Sequence, residues 1–257
     1  MPFETATALE YVKLIDLSGT RRNLRDQDAV DTGVVFDAAK KQAQVVGAGV
    51  YSFAEGVTAE VRESISDSAL LAQLVANKRT SAETEPFQWF KVYSEVLMNV
   101  GWTLQESSWT DYTATGTALE VHGKIIEVLT VALGPSVAVL ALVTATMQAL
   151  TAMDDNSPWI TLFSRESQKA SVGHFQIGLV EKGENDQVFV SLLACLIEAK
   201  NDVTQILFFK FKQANATFKA DSNKISINSA NLRELGPSIR NKIRFYQEDY
   251  LSTIFDV

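Results

Sequence analysis

Cysteine is almost missing from this chain: Cys195 is the only one in 257 residues, and histidine appears twice, as His122 and His174. A single thiol excludes an internal disulfide framework and any zinc site built on several thiolates. The two histidines are far apart in sequence, so no metal-ligand spacing exists and neither a metal nor another cofactor is expected. Positive charge is also short. With 23 Lys and Arg against 31 Asp and Glu, the net charge is −8, which argues against nucleic acid as a partner, since a phosphate backbone calls for a concentrated basic surface. The small basic clusters, Arg21, Arg22, Arg25 and Arg240, Lys242, Arg244, have acids nearby and read as solvated faces or helix ends. The N-terminus, MPFETATALEYVKLIDL, has no basic segment followed by a continuous apolar one. No cleaved signal peptide is expected from it. Internal repeats and low-complexity tracts are missing too.

What the chain does have is one long uncharged stretch. Val128 to Met147, VLTVALGPSVAVLALVTATM, is 20 residues without a charge, the length that a spanning helix needs. Gly134-Pro135 divides it into two pieces too short to span alone, no Lys or Arg cluster flanks it, and Asp154-Asp155 follows. The reading taken is a buried helical hairpin of a soluble fold. A hairpin that inserts conditionally, as in helical pore-forming toxins, stays open as the alternative, and a constitutive membrane helix is a third reading.

Apolar spacing predicts helices over Asp28–Val46, Glu55–Lys78, Pro86 to Gly101, Thr117 to Leu133 and Pro135 to about Met153. Trp102 to Thr113 reads as a strand or ordered loop. After Ser157-Pro158 the period becomes strand-like, with candidates at Trp159–Phe163, Val172–Glu181, Gln187–Glu198, Val203–Lys212, Ala216–Ala220 and Lys224–Ile227. Their short connections suit an antiparallel meander. Val188 to Ile197 is apolar almost throughout, so this strand should be central and covered on both faces. A helix over Ala230–Phe255, interrupted at Gly236-Pro237, closes the chain. The fold expected is α+β in a single domain over 1–257, with a helical layer over about 1–155, a β-meander over about 158–228 and a C-terminal helix over about 229–255.

Cys195 lies in SLLACLI, the most apolar strand candidate. A free cysteine there is first a small buried hydrophobe. If residues 183–186 form the hairpin loop, Lys182 faces Gln187, and His174 then falls opposite Cys195 on one face of the sheet. A histidine in that place can take the thiol proton, which keeps a Cys195/His174 acyltransferase or thioesterase among the readings. A register slipped by one residue separates the two groups. The greasy surroundings fit a fatty-acyl thioester on Cys195 better than a hydrolase, with the tail among the helices of 119–153. Gly47-Ala48-Gly49 is too short for a phosphate loop.

In size, in the lack of a signal peptide, and in a lone cysteine three quarters along within SLLACLI, the chain resembles bacterial virulence proteins of the Erwinia virulence factor type. That resemblance implies an α/β fold, a non-enzymatic role in virulence, and palmitate joined to Cys195 through a thioester, making the protein a lipoprotein that meets host membranes. It also implies residence in the bacterial cytoplasm, or secretion by a route without a cleaved signal peptide. The rival reading makes the chain a soluble component of a pore-forming toxin system, with residues 128–147 as the inserting part and companion toxin subunits as partners.

Overall fold

The structure is a computed structural model that describes residues 4–20, 35–103, 109–113, 119–120, 123, 125–128, 130, 137–153, 157–169, 172–185, 187–199, 210–211 and 216–257. In chain order its elements are α1 (Thr5–Leu14), β1 (Gln42–Val46), β2 (Gly49–Phe53), α2 (Ala59–Arg79), α3 (Pro86–Asn99), β3 (Thr110–Thr113), β4 (Leu119–Glu120), α4 (Val137–Thr151), α5 (Pro158–Ser167), β5 (Gln168–Lys169), β6 (Val172–Lys182), β7 (Gln187–Ala199), β8 (Lys210–Phe211), β9 (Ala216–Asn228), α6 (Ser229–Ile243), α7 (Gln247–Tyr250) and β10 (Phe255–Asp256). The α+β class expected from the sequence stands.

The principal sheet runs β10-β1-β2-β6-β7-β9-β3, with β5 added on β6. Neighbours are antiparallel except β2 and β6, which run parallel. The sheet is therefore mixed, and three of its strands, β1, β2 and β3, come from the half of the chain that was expected to be mainly helical. Strand β7 is central, and its side chains alternate between two cores. Val188, Val190, Leu192 and Ala194 pack beneath α1, α2, α3 and α6. Leu193, Cys195 and Ile197 pack in a second cluster with Ile125, Val128 and residues of α4 and α5. Each large apolar side chain so buried contributes roughly 2 kcal/mol, which makes double coverage of the sheet the main source of stability.

Several elements depart from the sequence reading for local reasons. The helix expected over Asp28–Val46 ends as strand β1, and its residues 28–34 lie outside the described part. Gln42, Gln44 and Val46 face α2 while Ala43 and Val45 join the second core, a period of two that the apolar spacing had mimicked with a period near four. Gly47-Ala48 is the β1–β2 turn. Gly47 sits at φ 51°, and a Cβ there would lie 2.4 Å from Gln73 Oε1, so glycine is required. Gln73 fastens this turn to α2: its Oε1 accepts from the Ala48 N–H (2.9 Å) and its Nε2 donates to the Val46 carbonyl (2.8 Å).

Trp159–Phe163, expected as a strand, is helical instead. Ser157 caps α5 by accepting from the Trp159 N–H, and Pro158 takes the first position, where no N–H is needed. The turn expected at Asp221-Ser222-Asn223 is the middle of β9, held by the β7 ladder on its flank. Helix α6 continues through Gly236-Pro237, and the break falls after Ile243. Gly236 serves close packing there, since a Cβ would come within 2.7 Å of Ser64 Oγ on α2. The Gly134-Pro135 break and most of Val203–Lys212 lie outside the described residues.

Arg62 is fully buried. Its guanidinium donates to the carbonyls of Val57 (2.8 Å), Lys40 (2.9 Å) and Ala54 (2.9 Å) and to Gln42 Oε1 (3.0 Å). The rings of Phe36 and Phe53 lie 5.9 and 5.7 Å from its Cζ. One side chain thus ties the start of α2 to both strands of the first hairpin. Arg62→Met keeps the length and removes the donors, and should cost about 3 kcal/mol. The expected readout is a lower midpoint of urea unfolding with unchanged slope; a loss below about 1 kcal/mol would show that the four bonds are dispensable.

Candidate functional site

Cys195 is wholly buried, in a cross-strand row between Phe175 of β6 and Ala220 of β9. All three side chains belong to the second core, together with Ile125, Val128, Leu142 and Met147. Burial holds the thiol well above the usual cysteine range, and no cation among the described residues offsets it. The thiol is neutral at physiological pH, and the Cys195 site is an apolar one. Helix α4, which helps cover it, has the sequence VAVLALVTATMQALT and bears no charge on any of its 15 residues. Ala138, Ala141 and Gln148 are exposed on its outer side. Its polar anchor to the sheet is a 2.8 Å hydrogen bond between the Thr146 and Ser52 hydroxyls.

His174 does not face Cys195. The ladder pairs His174 with Leu196 and Phe175 with Cys195, one residue away from the register expected. The reason is in the loop. The Gly183 N–H donates to the Gln187 carbonyl (2.8 Å), so Gln187 closes the turn, and the ladder begins with Lys182 opposite Val188. Consequently the thiol and the imidazole lie on opposite faces of the sheet, and the Cys195/His174 pair expected for an acyltransferase or thioesterase is not assembled.

The imidazole packs among aromatic side chains of α3, 4.9 Å edge-on from Trp89 and 6.5 Å from Phe90. Trp89 is held in turn by Asn77 Oδ1, which accepts from its indole N–H at 2.7 Å, and stacks on Tyr93, whose hydroxyl meets that of Tyr51 at 2.6 Å. His174 forms part of the wall of a cavity of about 670 Å³ at this end of the sheet, with Asn77, Lys78, Glu83, Arg165 and Glu166 among its neighbours. Its cations are already engaged: Lys78 pairs with Asp16 (2.6 Å), and Arg165 with Glu166 (2.6 Å) and the Asp249 carbonyl (2.8 Å). This is a polar hollow, unsuited to an acyl chain, and Cys195 does not line it.

A third group of polar side chains joins α2 to the C-terminal segment. Arg240 of α6 reaches Asp67 (2.9 Å) and Glu63 (2.8 Å), and Gln247 donates to the other Asp67 oxygen (2.8 Å). Asp67 is buried while Arg240 and Glu63 are half exposed. Burial raises the Asp67 carboxyl above the ordinary aspartate value, and Arg240 and Gln247 pull it only part of the way back. Sequence reading took Arg240 for a solvated or helix-end cation and passed over Asp67. The available signal was an acid set within ISDSALLAQLVA, the otherwise uncharged middle of a helix. Among the described residues no group of three metal-ligating side chains exists, and no helix is long and apolar enough to cross a membrane.

No protein-family model matches the chain, and comparison with curated proteins gives no match. Among solved structures, a delta-endotoxin resembles it with a TM-score of 0.35 and 11% identity, over 81% of this chain and 88% of that one. The Evf virulence factor gives a TM-score of 0.34 and 9% identity, over 96% and 91%. The activated Cyt2Ba monomer from Bacillus thuringiensis subsp. israelensis gives 0.25 and 12%, over 52% and 79%. These neighbours are toxin and virulence proteins by description, and each is a loose likeness, below the level at which a shared fold follows.

Two outcomes are expected from this geometry. Cys195 should resist a water-soluble maleimide in the native protein and react fully once denaturant opens the sheet; rapid native labelling would contradict its placement. Asp67 binds its proton more tightly folded than unfolded, so its contribution to stability is fully present below the unfolded aspartate value and is lost as pH rises through its raised folded value. Asp16 and Asp256, held low by Lys78 and Lys40, act in the opposite sense and cancel when wild type is compared with Asp67→Asn. The melting temperature of wild type relative to Asp67→Asn should therefore rise as pH is lowered from neutral toward the unfolded aspartate value. A constant or falling difference would rule this out.

Proposed function

We propose that the protein is a non-enzymatic, virulence-associated protein that carries a fatty acyl group, palmitate, on Cys195 and acts at host membranes. The observation that carries this reading is the position of the lone thiol within an apolar layer beneath a helix that is uncharged even on its outer side. Surface helices of soluble proteins ordinarily present charge outward. Helix α4 instead offers alanines and a glutamine, which suits an interface that is apolar on both sides. The likeness of layout to the Erwinia virulence factor type points the same way.

The chemistry is thioester exchange. The Cys195 sulfur attacks the carbonyl of an acyl thioester donor, gives up its proton, and the donor leaves as a free thiol carrying that proton. Because the folded layer keeps the thiol neutral and enclosed, loading belongs to a stage before the helices close over β7. The same enclosure afterwards shields the thioester from hydrolysis.

Intact mass before and after neutral hydroxylamine tests the modification. A fatty-acyl excess removed by hydroxylamine, and absent in Cys195→Ser, is expected from protein made in its native host. Vesicle flotation tests the membrane role. Ala141 is exposed, so Ala141→Glu should leave the melting temperature unchanged while weakening vesicle binding at least about tenfold, given a cost of ~2 kcal/mol or more for a carboxylate in the bilayer. An unmodified mass would remove the acyl assignment, and undiminished binding by Ala141→Glu would remove the membrane role from α4.

A further inference from the structure

The cluster around Asp67 opens into a cavity of about 320 Å³ between α2, β1 and the C-terminal segment. Two buried polar atoms that line it have no hydrogen-bond partner among the described residues: Gln44 Oε1 and Ser66 Oγ. Gln44 is 7% exposed and Ser66 1%. The amide of Gln44 is oriented, since its Nε2 donates to the Ser252 carbonyl at 2.9 Å, which leaves the oxygen as the unsatisfied end. Burying such atoms without partners is costly, and a native site that does so is shaped for something that supplies them.

The lining also defines what that something is. Gln44 Oε1 can only accept, and the Ser66 hydroxyl accepts readily. The two carboxylates, Glu63 and Asp67, share one guanidinium, Arg240, so the cluster retains one formal negative charge. Each carboxylate can accept more bonds than it now makes. Phe36, Leu251 and Ile254 supply apolar wall beside these acceptors. The complement is a positive group rich in donors and joined to a short apolar stem.

We propose that this cavity binds a primary ammonium group on a small organic molecule, with Gln44 Oε1, Ser66 Oγ and the Asp67 carboxylate as its acceptors. The –NH₃⁺ group has three donors and no acceptor, so it satisfies this lining without leaving a lone pair buried. A quaternary ammonium has no donors, and an alcohol has no charge. The cavity volume of about 320 Å³ lies at the lower end of ligand pockets and leaves room for an alkylamine or an ethanolamine head. Both a free amine and the headgroup of a phosphatidylethanolamine present this chemistry. The site lies on the opposite side of the sheet from Cys195 and is independent of acylation.

Calorimetric titration with n-propylammonium chloride, against tetramethylammonium chloride and propan-1-ol, tests the assignment on the full chain. Saturable binding of n-propylammonium alone is expected, weakened about tenfold in Ser66→Ala and further in Asp67→Asn. Since the Ser66 hydroxyl has no partner to lose, Ser66→Ala should not lower the melting temperature of the unliganded protein. Flotation with phosphatidylcholine vesicles, with and without phosphatidylethanolamine, separates the sources: dependence on phosphatidylethanolamine identifies the headgroup, and equal flotation with saturable propylammonium binding identifies a free amine. Equal binding of propylammonium and tetramethylammonium, or no saturable heat with any amine, would overturn the proposal, the latter leaving a cavity that holds water only.

Discussion

Strand β7 buries its side chains on both faces, and this constraint shapes the rest of the molecule. A strand so apolar cannot leave either side to water, so two helical layers must meet across one sheet. One layer is built from α1, α2, α3 and α6, drawn from both ends of the chain. The other comes from residues 125–128 and from α4 and α5. The alternating side chains of a strand then turn register into chemistry. An odd-numbered residue of β7, such as Cys195, belongs to the apolar second layer, and the even-numbered His174 of β6 belongs with the aromatic side chains of α3.

The two layers differ in how they tolerate polarity. The layer over α2 contains Arg62, Asp67, Gln73, Gln44 and a row of serines, nearly all of them fastened by hydrogen bonds to backbone or to one another. Arg62 can remain charged in that setting because four oxygens surround it and two aromatic rings lie close to its guanidinium. Among the described residues, the layer over Cys195 is joined to the sheet by a hydroxyl pair, Ser52 with Thr146. Specific polar bonding fixes the first layer in a single arrangement. The second is held mainly by apolar contact, which is non-directional and lets helices shift or part with less loss of specificity.

Much of this was legible in the chain. The long helices α2 and α3, the strands β6 and β7 and the burial of β7 on both faces follow from periodicity and from the placement of Pro86, Gly183 and Asn185. The hairpin β1–β2 was not legible, because QAQVV alternates small and polar residues that also suit a helix, and its strand character comes from pairing with distant β6 through β2. Gly236-Pro237 looked like a break because contact with Ser64 is a tertiary fact. The segment Trp159–Phe163 was misjudged by weighing its aromatic and β-branched content above the Ser-Pro cap in front of it. Proximity of Asp67, Glu63 and Arg240 was hidden for a different reason, since it joins helices far apart in sequence.

The β6–β7 loop closes through the Gly183 N–H and the Gln187 carbonyl, and this closure goes with the register that separates His174 from Cys195. With a loop one residue shorter, His174 would pair with Cys195. Five loop residues in place of four put a base and a nucleophile on opposite sides of a sheet, where no rearrangement short of unpairing β6 from β7 can join them. That ladder extends over 11 paired positions, so its cost is a substantial part of the folding free energy and not a local fluctuation. Among the described residues, the thiol packs in an apolar cluster. The same layer that deprives the sulfur of a neighbouring base keeps it neutral and out of contact with water.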